Sequence, residues 1–328
     1  MNMKAIAFVD AKPTVTFNAV KPTPLNDEVL VKVHYSALDT ALDPVITKTF
    51  VGGMLHKLND PLYCGWHFSG VVEAVGSSKV GEDFEVGMPV FGHLPYSSKT
   101  TQGSLSEYIT VKSDALAIKP RSMTMDLAAA ATTEPLTALQ SLRDLGKLQP
   151  GGHVLINGAG GQVGSAAVQI AKQLGATVTA ICSTKDIAKV TKLGADSVID
   201  RKKTHNVMGQ LTSNQFNVIF DTPGKLSARK ILKFLKPKGV YVNPSPDDML
   251  DFFLGKLFTI FSSKSVKMIM VEPKKVDLEQ VGSWIEAETL KIDVDSIHDV
   301  KDTVTAMHRQ KDSANKKGRV VIKVHGGF

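Results

Sequence analysis

The middle of the chain alternates short apolar runs with stretches whose apolar residues recur at helical spacing. The runs His153–Asn157, Thr177–Cys182, Ser197–Asp200, Asn217–Asp221, Gly239–Asn243 and Val266–Val271 predict buried strands. Between most of them lie helical patterns such as "KDIAKVTKLGA" and "SARKILKFLKP", and Gly175, Gly194 and Gly239 stand where helices should stop. Strands joined by helical crossovers predict a doubly wound parallel sheet. The first 120 residues read differently. "KAIAFV", "EVLVKVHYSA", "FSGVVEAVG", "MPVFGH" and "LSEYITVK" are β-rich, with glycine and proline between them and no helical crossovers. That pattern predicts a mostly antiparallel, barrel-like domain. "MDLAAAATTEPLTALQSLRDL" predicts a helical link into the parallel sheet, broken or kinked at Pro135. Near the end, "DLEQVGSWIEAE" predicts a helix, and "GRVVIKV" a closing strand that returns to the first domain.

At 328 residues and 43% hydrophobic content, the chain can bury two cores. Its two cysteines, Cys64 and Cys182, exclude a disulfide framework and a cysteine-rich zinc lobe, and favour a reducing, cytoplasmic compartment. The start, "MNMKAIAFVD", is too short an apolar run for a signal peptide, and no run reaches membrane-spanning length. The longest apolar candidate, "MLDFFLGKLFTIF" from Met249 to Phe261, carries Asp251 and Lys256 and is expected to pack on the protein itself. Charge is uneven. Residues 1–150 hold 13 basic and 15 acidic side chains; the rest hold 26 and 17. The basic excess suits a phosphate-bearing small ligand, while no nucleic-acid motif accompanies it.

One motif gives that ligand a place. "NGAGGQVGSAAVQIAKQLGA" puts a glycine turn between the strand ending at Asn157 and a helix. Ala159, Gly160, Gly161, Gln162 and Val163 form the expected cradle, where backbone N–H groups at a helix N-terminus approach an anion unobstructed by side chains. The fingerprint runs Ala159-x-Gly161-x-x-Gly164, with alanine at the usual first glycine. At the end of the next strand, an acid selects a ribose hydroxyl and basic or hydroxyl groups select a 2′-phosphate. Here stand Cys182 and Ser183, then Lys185, with Arg201 after the third strand. That set favours NADP(H) over NAD(H). Asp186 comes later and is expected to cap the following helix. Thr222 and Pro223 follow the fourth strand, where the chain passes the cofactor.

The run from Leu127 to Asp200 resembles the zinc-independent quinone oxidoreductase branch of the medium-chain dehydrogenase/reductases. "LTALQSLRDLGKLQPGGHVLINGAGGQVGSAAVQIAKQLGATV" and "KLGADSVID" carry most of the likeness; "GWHFSGVVEAVG", "GSLSEY", "FDTPG", "LKPKGVYV" and "GRVVIKV" extend it. The resemblance implies a GroES-like β-barrel substrate domain (1–121 plus 273–328) and a Rossmann NADP(H)-binding domain (122–272), with the active site in the cleft between them. It also implies a homodimer or homotetramer, and places Thr137 where relatives contact the nicotinamide.

Zinc-dependent relatives hold the metal with Cys, His and Cys. The corresponding positions here are Asp39, Trp66 and Thr133. Indole cannot ligate zinc and a neutral hydroxyl ligates it poorly, so no metal is expected. Without a Lewis acid, alcohol oxidation lacks its charge stabiliser, whereas hydride addition to a quinone or an α,β-unsaturated carbonyl spreads the charge onto an oxygen that hydrogen bonds can hold. Asp39, His67 and Tyr96 are the expected catalytic group, with His93 nearby. The expected function is zinc-free, NADPH-dependent reduction of a small quinone, enone or alkenal. The alternatives are a dinucleotide-binding redox sensor or adaptor with little catalysis, and an alcohol dehydrogenase.

Overall fold

The computed structural model describes residues 2–9, 12–39, 62–97, 100–204, 206–312 and 315–327. It divides into two compact units, residues 1–133 with 272–328, and residues 134–271.

The first unit is built on strands. β1 (Asn2–Val9) pairs with β2 (Lys12–Val20) and with β4 (Leu62–Tyr63) in a small antiparallel sheet. A larger sheet is centred on β3 (Glu28–Ala37) and β5 (His67–Val75), continued by β6 (Pro89–His93) and β8 (Leu116–Ile118). β7 (Tyr108–Lys112) pairs with the first half of β3. The closing strand β16 (Arg319–Lys323) pairs antiparallel with the end of β3, as the sequence predicts for "GRVVIKV". Beside it runs β15 (Val294–Asp299), parallel to β16, a strand that polar "VDSIHD" does not announce. A short turn of helix, α1 (Ser78–Gly81), lies between β5 and β6. Inward-facing Val29, Val31, Val33, Phe68, Leu105, Ile109, Val320 and Ile322 form the core. The alternating burial is that of a sheet curved around one apolar interior.

The second unit is the expected parallel sheet, ordered β11 (Ser197–Asp200), β10 (Thr177–Cys182), β9 (His153–Asn157), β12 (Phe216–Asp221), β13 (Leu235–Asn243) and β14 (Ser265–Met268). The order reverses between β9 and β12, the switch point outside whose strand ends ligands bind in such sheets. Three strands keep their predicted bounds. β13 starts four residues early, because the "LKP" end of the predicted helix is already extended and pairs with β12 at Leu235.

The link between units departs from expectation. Ser122–Thr133 belongs to the first unit, moving the expected boundary from 121 to 133. The cause is α2 (Met125–Ala130), whose small residues Ala129 and Ala130 pack against Ala37 and Val321. The helical link breaks at Ala131–Thr132, ahead of Pro135. Pro135 sits in the first turn of α3 (Thr133–Leu139), where its missing N–H is not needed. A π-helical stretch, Gln140–Leu145, follows.

The glycine turn leads into α4 (Gln162–Gln173). Gly158 adopts φ +78°, and a Cβ at Gly164 would overlap the Gly158 carbonyl oxygen. The helix therefore seats on the turn only because position 164 has no side chain. Replacing Gly164 with alanine is expected to cost about 2 kcal/mol or more through backbone displacement, read as a lower urea midpoint with unchanged m-value.

Candidate active site

In the first unit, β5 and β6 pair so that His67 lies opposite His93. Asp39 follows β3, and Tyr96 follows β6 by three residues. These segments bring Asp39, His67, Tyr96, Thr132 and Thr133 into one hydrogen-bonded cluster. Tyr96 Oη donates to Asp39 Oδ2 at 2.6 Å, and His67 Nε2 lies 3.3 Å from the same oxygen. On the other side of the ring, Thr132 Oγ1 and Thr133 Oγ1 each stand 2.9 Å from His67 Nδ1. Thr133 Oγ1 is also 3.2 Å from Tyr96 Oη. Trp66 packs beside Tyr96, with ring centroids 5.1 Å apart.

The charges assign the protons. Burial would raise the Asp39 carboxyl, but the hydrogen bond from His67, the Arg319 guanidinium and the Tyr96 hydroxyl together hold it well below the usual carboxylate range. Asp39 is thus ionised and can only accept. Burial, reinforced by Arg319, pushes His67 down to about 4, with Asp39 opposing, so His67 is neutral at physiological pH. A neutral imidazole facing a carboxylate through Nε2 carries its proton there, which leaves Nδ1 to accept from the threonine hydroxyls. Burial and the neighbouring Asp39 charge raise Tyr96 well above 10, so it keeps its proton. His93, buried beside His67, is pushed down to about 3; its Nδ1 donates to Leu94 O at 3.0 Å.

The three expected catalytic residues therefore come together. Thr132 and Arg319 are members that sequence reading missed. Arg319 left a signal: a charge inside the apolar run "GRVVIKV", where it is 3% exposed. Thr132 left none, because its role depends on where α2 ends. Among the described residues, no three His, Cys, Asp or Glu side chains gather as a metal-binding set.

In the second unit, the turn after β9 has its amides partly committed. Gly158 and Ala159 N–H both donate to Ile181 O at 3.0 Å, and Gly161 N–H to Gly158 O at 2.9 Å. Ala159 is fully buried, so alanine replaces the usual glycine without reaching a ligand. Gln162 and Val163 open α4, where amides have no acceptor within the helix and present a partial positive charge. Thr222 Oγ1 donates to Asn157 O at 2.9 Å and packs over Gly158. Beneath the strand ends, Asp221 accepts from Asn157 Nδ2 (2.6 Å), Leu226 N (2.7 Å) and Tyr241 Oη (2.9 Å), tying β9, β12 and β13 together. Thr137 is buried in α3 of the same unit.

At the end of β10, Arg201 N–H donates to Cys182 O at 2.9 Å, which brings the residue after β11 beside Cys182 and Ser183. Lys185 and Arg201 are both exposed. Asp186 does not cap the next helix, α5 (Ile187–Lys192), contrary to expectation. Its carboxylate accepts from Ser183 Oγ and lies against Gly160, because a short helical turn at Thr184–Asp186 folds it back toward the glycine loop. Asp200 is held by Thr184 Oγ1 at 2.8 Å and by Lys202 N–H at 2.9 Å.

Residues 25–121 match the family model "Alcohol dehydrogenase GroES-like domain", and residues 193–322 match "Zinc-binding dehydrogenase". The chain is 32% identical over 350 residues to a protein named trans-enoyl reductase pgmF from Aspergillus terreus, covering 98% of this chain and 96% of that one. It is 28% identical to a quinone-oxidoreductase homolog, chloroplastic, from Spinacia oleracea, over 92% of this chain and 91% of that protein. The solved structure of a quinone oxidoreductase from Coxiella burnetii superposes with a TM-score of 0.82 at 26% identity, covering 99% of this chain and all of that one. With a GroES-like unit, a Rossmann sheet in the order its strands require and an anion cradle at the switch point, this chain belongs to the medium-chain dehydrogenase/reductase superfamily, oxidoreductases that bind a nicotinamide dinucleotide.

Proposed function

We propose that the protein is a metal-free, NADP(H)-dependent reductase of quinones or α,β-unsaturated carbonyls. The observation that carries this reading is the donor set at Asp39, Trp66 and Thr133. The indole of Trp66 has no lone pair for a cation, and the Thr133 hydroxyl is engaged by His67 and Tyr96. His67 has both ring nitrogens committed, one to Asp39 and one to threonine hydroxyls. These residues do not fit a tetrahedral zinc ion. A site without a Lewis acid suits an acceptor that delocalises its own charge. Relatives named trans-enoyl reductase and quinone oxidoreductase support the same substrate class.

The dinucleotide, when bound, supplies hydride. The chain's own residues orient and hold. Tyr96 acts as a hydrogen-bond donor to the oxygen that gains charge. Proton transfer from Tyr96 would leave a phenolate beside the ionised Asp39, which the cluster resists. His67 Nε2–H keeps Asp39 Oδ2 occupied while Tyr96 turns toward the acceptor, and the threonine hydroxyls lock the His67 tautomer. Protonation of the enolate carbon, or of the hydroquinone oxygen, then falls to water. Lys185 and Arg201 are the proposed holders of the 2′-phosphate, with Ser183 beside them. Asp186 and Asp200 are already engaged by Ser183, Thr184 and a backbone amide. The buried free thiols Cys64 and Cys182 accord with a reducing, cytoplasmic setting.

Stopped-flow oxidation of NADPH by 9,10-phenanthrenequinone and by a short 2-alkenal tests the function. Hydride transfer to either, undiminished by chelator, is expected; zinc-dependent alcohol oxidation instead would refute it. Tyr96→Phe should lower kcat about tenfold, the worth of one charge-stabilising hydrogen bond, while leaving the Kd for NADPH unchanged. Exchanging Lys185 and Arg201 for alanine should weaken NADPH by about 10- to 100-fold and NADH hardly at all, measured by fluorescence titration. Because His67 loses its proton near pH 4, and Asp39 and Tyr96 keep their states through neutrality, kcat should stay level between about pH 5.5 and 9. It should fall only as His67 protonates in acid. A pH–rate limb near 6.5 would contradict the assigned protonation states.

A further inference from the structure

The helix α7 (Met249–Phe258) packs on the protein, as expected, but through one narrow side only. It buries Asp251, Phe252 and Gly255 and turns most of its large apolar side chains outward. Leu250 (70% exposed), Phe253 (58%), Leu257 and Phe258 face solvent, and the turn that follows adds Ile260 and a fully exposed Phe261. Isolated exposed apolar residues are ordinary, but six on one helix and its end are not. The helix is held firmly in this orientation. Asp251 accepts from Arg229 Nε at 2.6 Å and from Ser227 Oγ at 3.0 Å, and Asp248 Oδ1 caps its N-terminus through Asp251 N–H at 2.9 Å. A Cβ at Gly255 would crowd Ala228, so the short helix α6 (Ala228–Ile231) lies tightly against the buried side of α7.

The surroundings are mainly basic. From Lys225 to Lys267 there are nine basic residues and three acidic ones. Of the acids, Asp248 and Asp251 are spent on the cap and the Arg229 pair. Lys225, Arg229 and Lys230 lie by the first turn of the helix, and others flank its C-terminal end. Lys264 Nζ donates to Leu232 O at 2.8 Å, and Lys238 N–H to Ser263 Oγ at 3.2 Å, so the segment 230–238 lies beside the turn that carries Phe261. Lys230, Lys233, Lys238 and Lys256 are all exposed.

We propose that the α7 face and its following turn dock on the anionic headgroup surface of a lipid bilayer, with the apolar side chains entering the interface and the lysines bound to headgroup charge. Leucine and phenylalanine on one face with a lysine collar are the components of interfacial binding, and each basic group near an anionic surface adds to it. No helix among the described residues is long and apolar enough to cross a membrane, so the docking is peripheral. A second copy of this chain fits less well. Two-fold self-association through the patch would bring the same lysine collars toward each other. This inference does not depend on the proposed reductase chemistry.

The test is co-sedimentation of the full chain with vesicles of phosphatidylcholine alone and of phosphatidylcholine with 30% phosphatidylserine, with light scattering in their absence. Binding to the anionic vesicles at least tenfold tighter than to neutral ones, weakened by raised salt, is expected. Phe253→Ser combined with Phe258→Ser and Phe261→Ser should abolish it with an unchanged thermal midpoint. Lys230→Gln with Lys238→Gln and Lys256→Gln should weaken it at least tenfold while leaving the apolar face intact. No vesicle binding, or equal binding to both vesicle types, overturns the proposal. So does a dimer, with no lipid binding, that the phenylalanine variant dissolves, since that assigns the face to a second copy.

Discussion

A single buried negative charge organises the first unit's site. Asp39 remains ionised in a place where burial alone would neutralise it, because His67 and Tyr96 both donate to it and Arg319 stands within its field. The proton positions of the cluster follow from that charge. The imidazole must present Nε2–H to the carboxylate, so Nδ1 must accept, so a threonine hydroxyl must point toward it. Tyr96 is held in its neutral form by the same carboxylate. The network has one sense, and low local dielectric makes reversing any of its bonds costly.

The second unit solves a different problem, the close approach of backbone to an anion. Its means are steric. Gly158 takes a left-handed turn, Gly164 lets α4 sit on that turn, and fully buried Ala159 needs no more room than a methyl group. Under the strand ends, Asp221 ties β9, β12 and β13 with three donated hydrogen bonds, holding rigid the edge against which the cradle is built. Burial raises this carboxyl too, and the hydrogen bonds from its neutral partners do not outweigh it. Burial pushes both aspartates up, and only at Asp39, where the Arg319 charge adds to the donated hydrogen bonds, do the neighbours reverse it.

Much of the fold was legible because its signals are local. A parallel strand buried on both faces is an apolar run, and β9 and β10 occur where those runs lie; β11 also keeps its expected bounds, but as an edge strand with no buried residue. "GRVVIKV" was legible as a strand, and its lack of a helical partner pointed to the first unit, where it pairs with β3. β15 was not, since "VDSIHD" carries no buried face and forms only because β16 offers it an edge. Within the site, Asp39, His67 and Tyr96 were found by residue type and position. Thr132, Arg319 and the engagement of Asp186 by Ser183 arise where segments distant in sequence, or a short turn, set side-chain directions.

What the amino-acid sequence determined by itself was most of the succession of elements, the glycine turn between β9 and α4 and the side-chain types Asp39, Trp66 and Thr133. These depend on residue identity and near-neighbour spacing. Only the tertiary structure decided the protonation of the Asp39 cluster, the end of the first unit at Thr133 and the outward exposure of α7. Those depend on distances between segments far apart in the chain. An apolar helix carries no mark of which face will find a partner until the Asp251–Arg229 pair and the Gly255–Ala228 contact have chosen one.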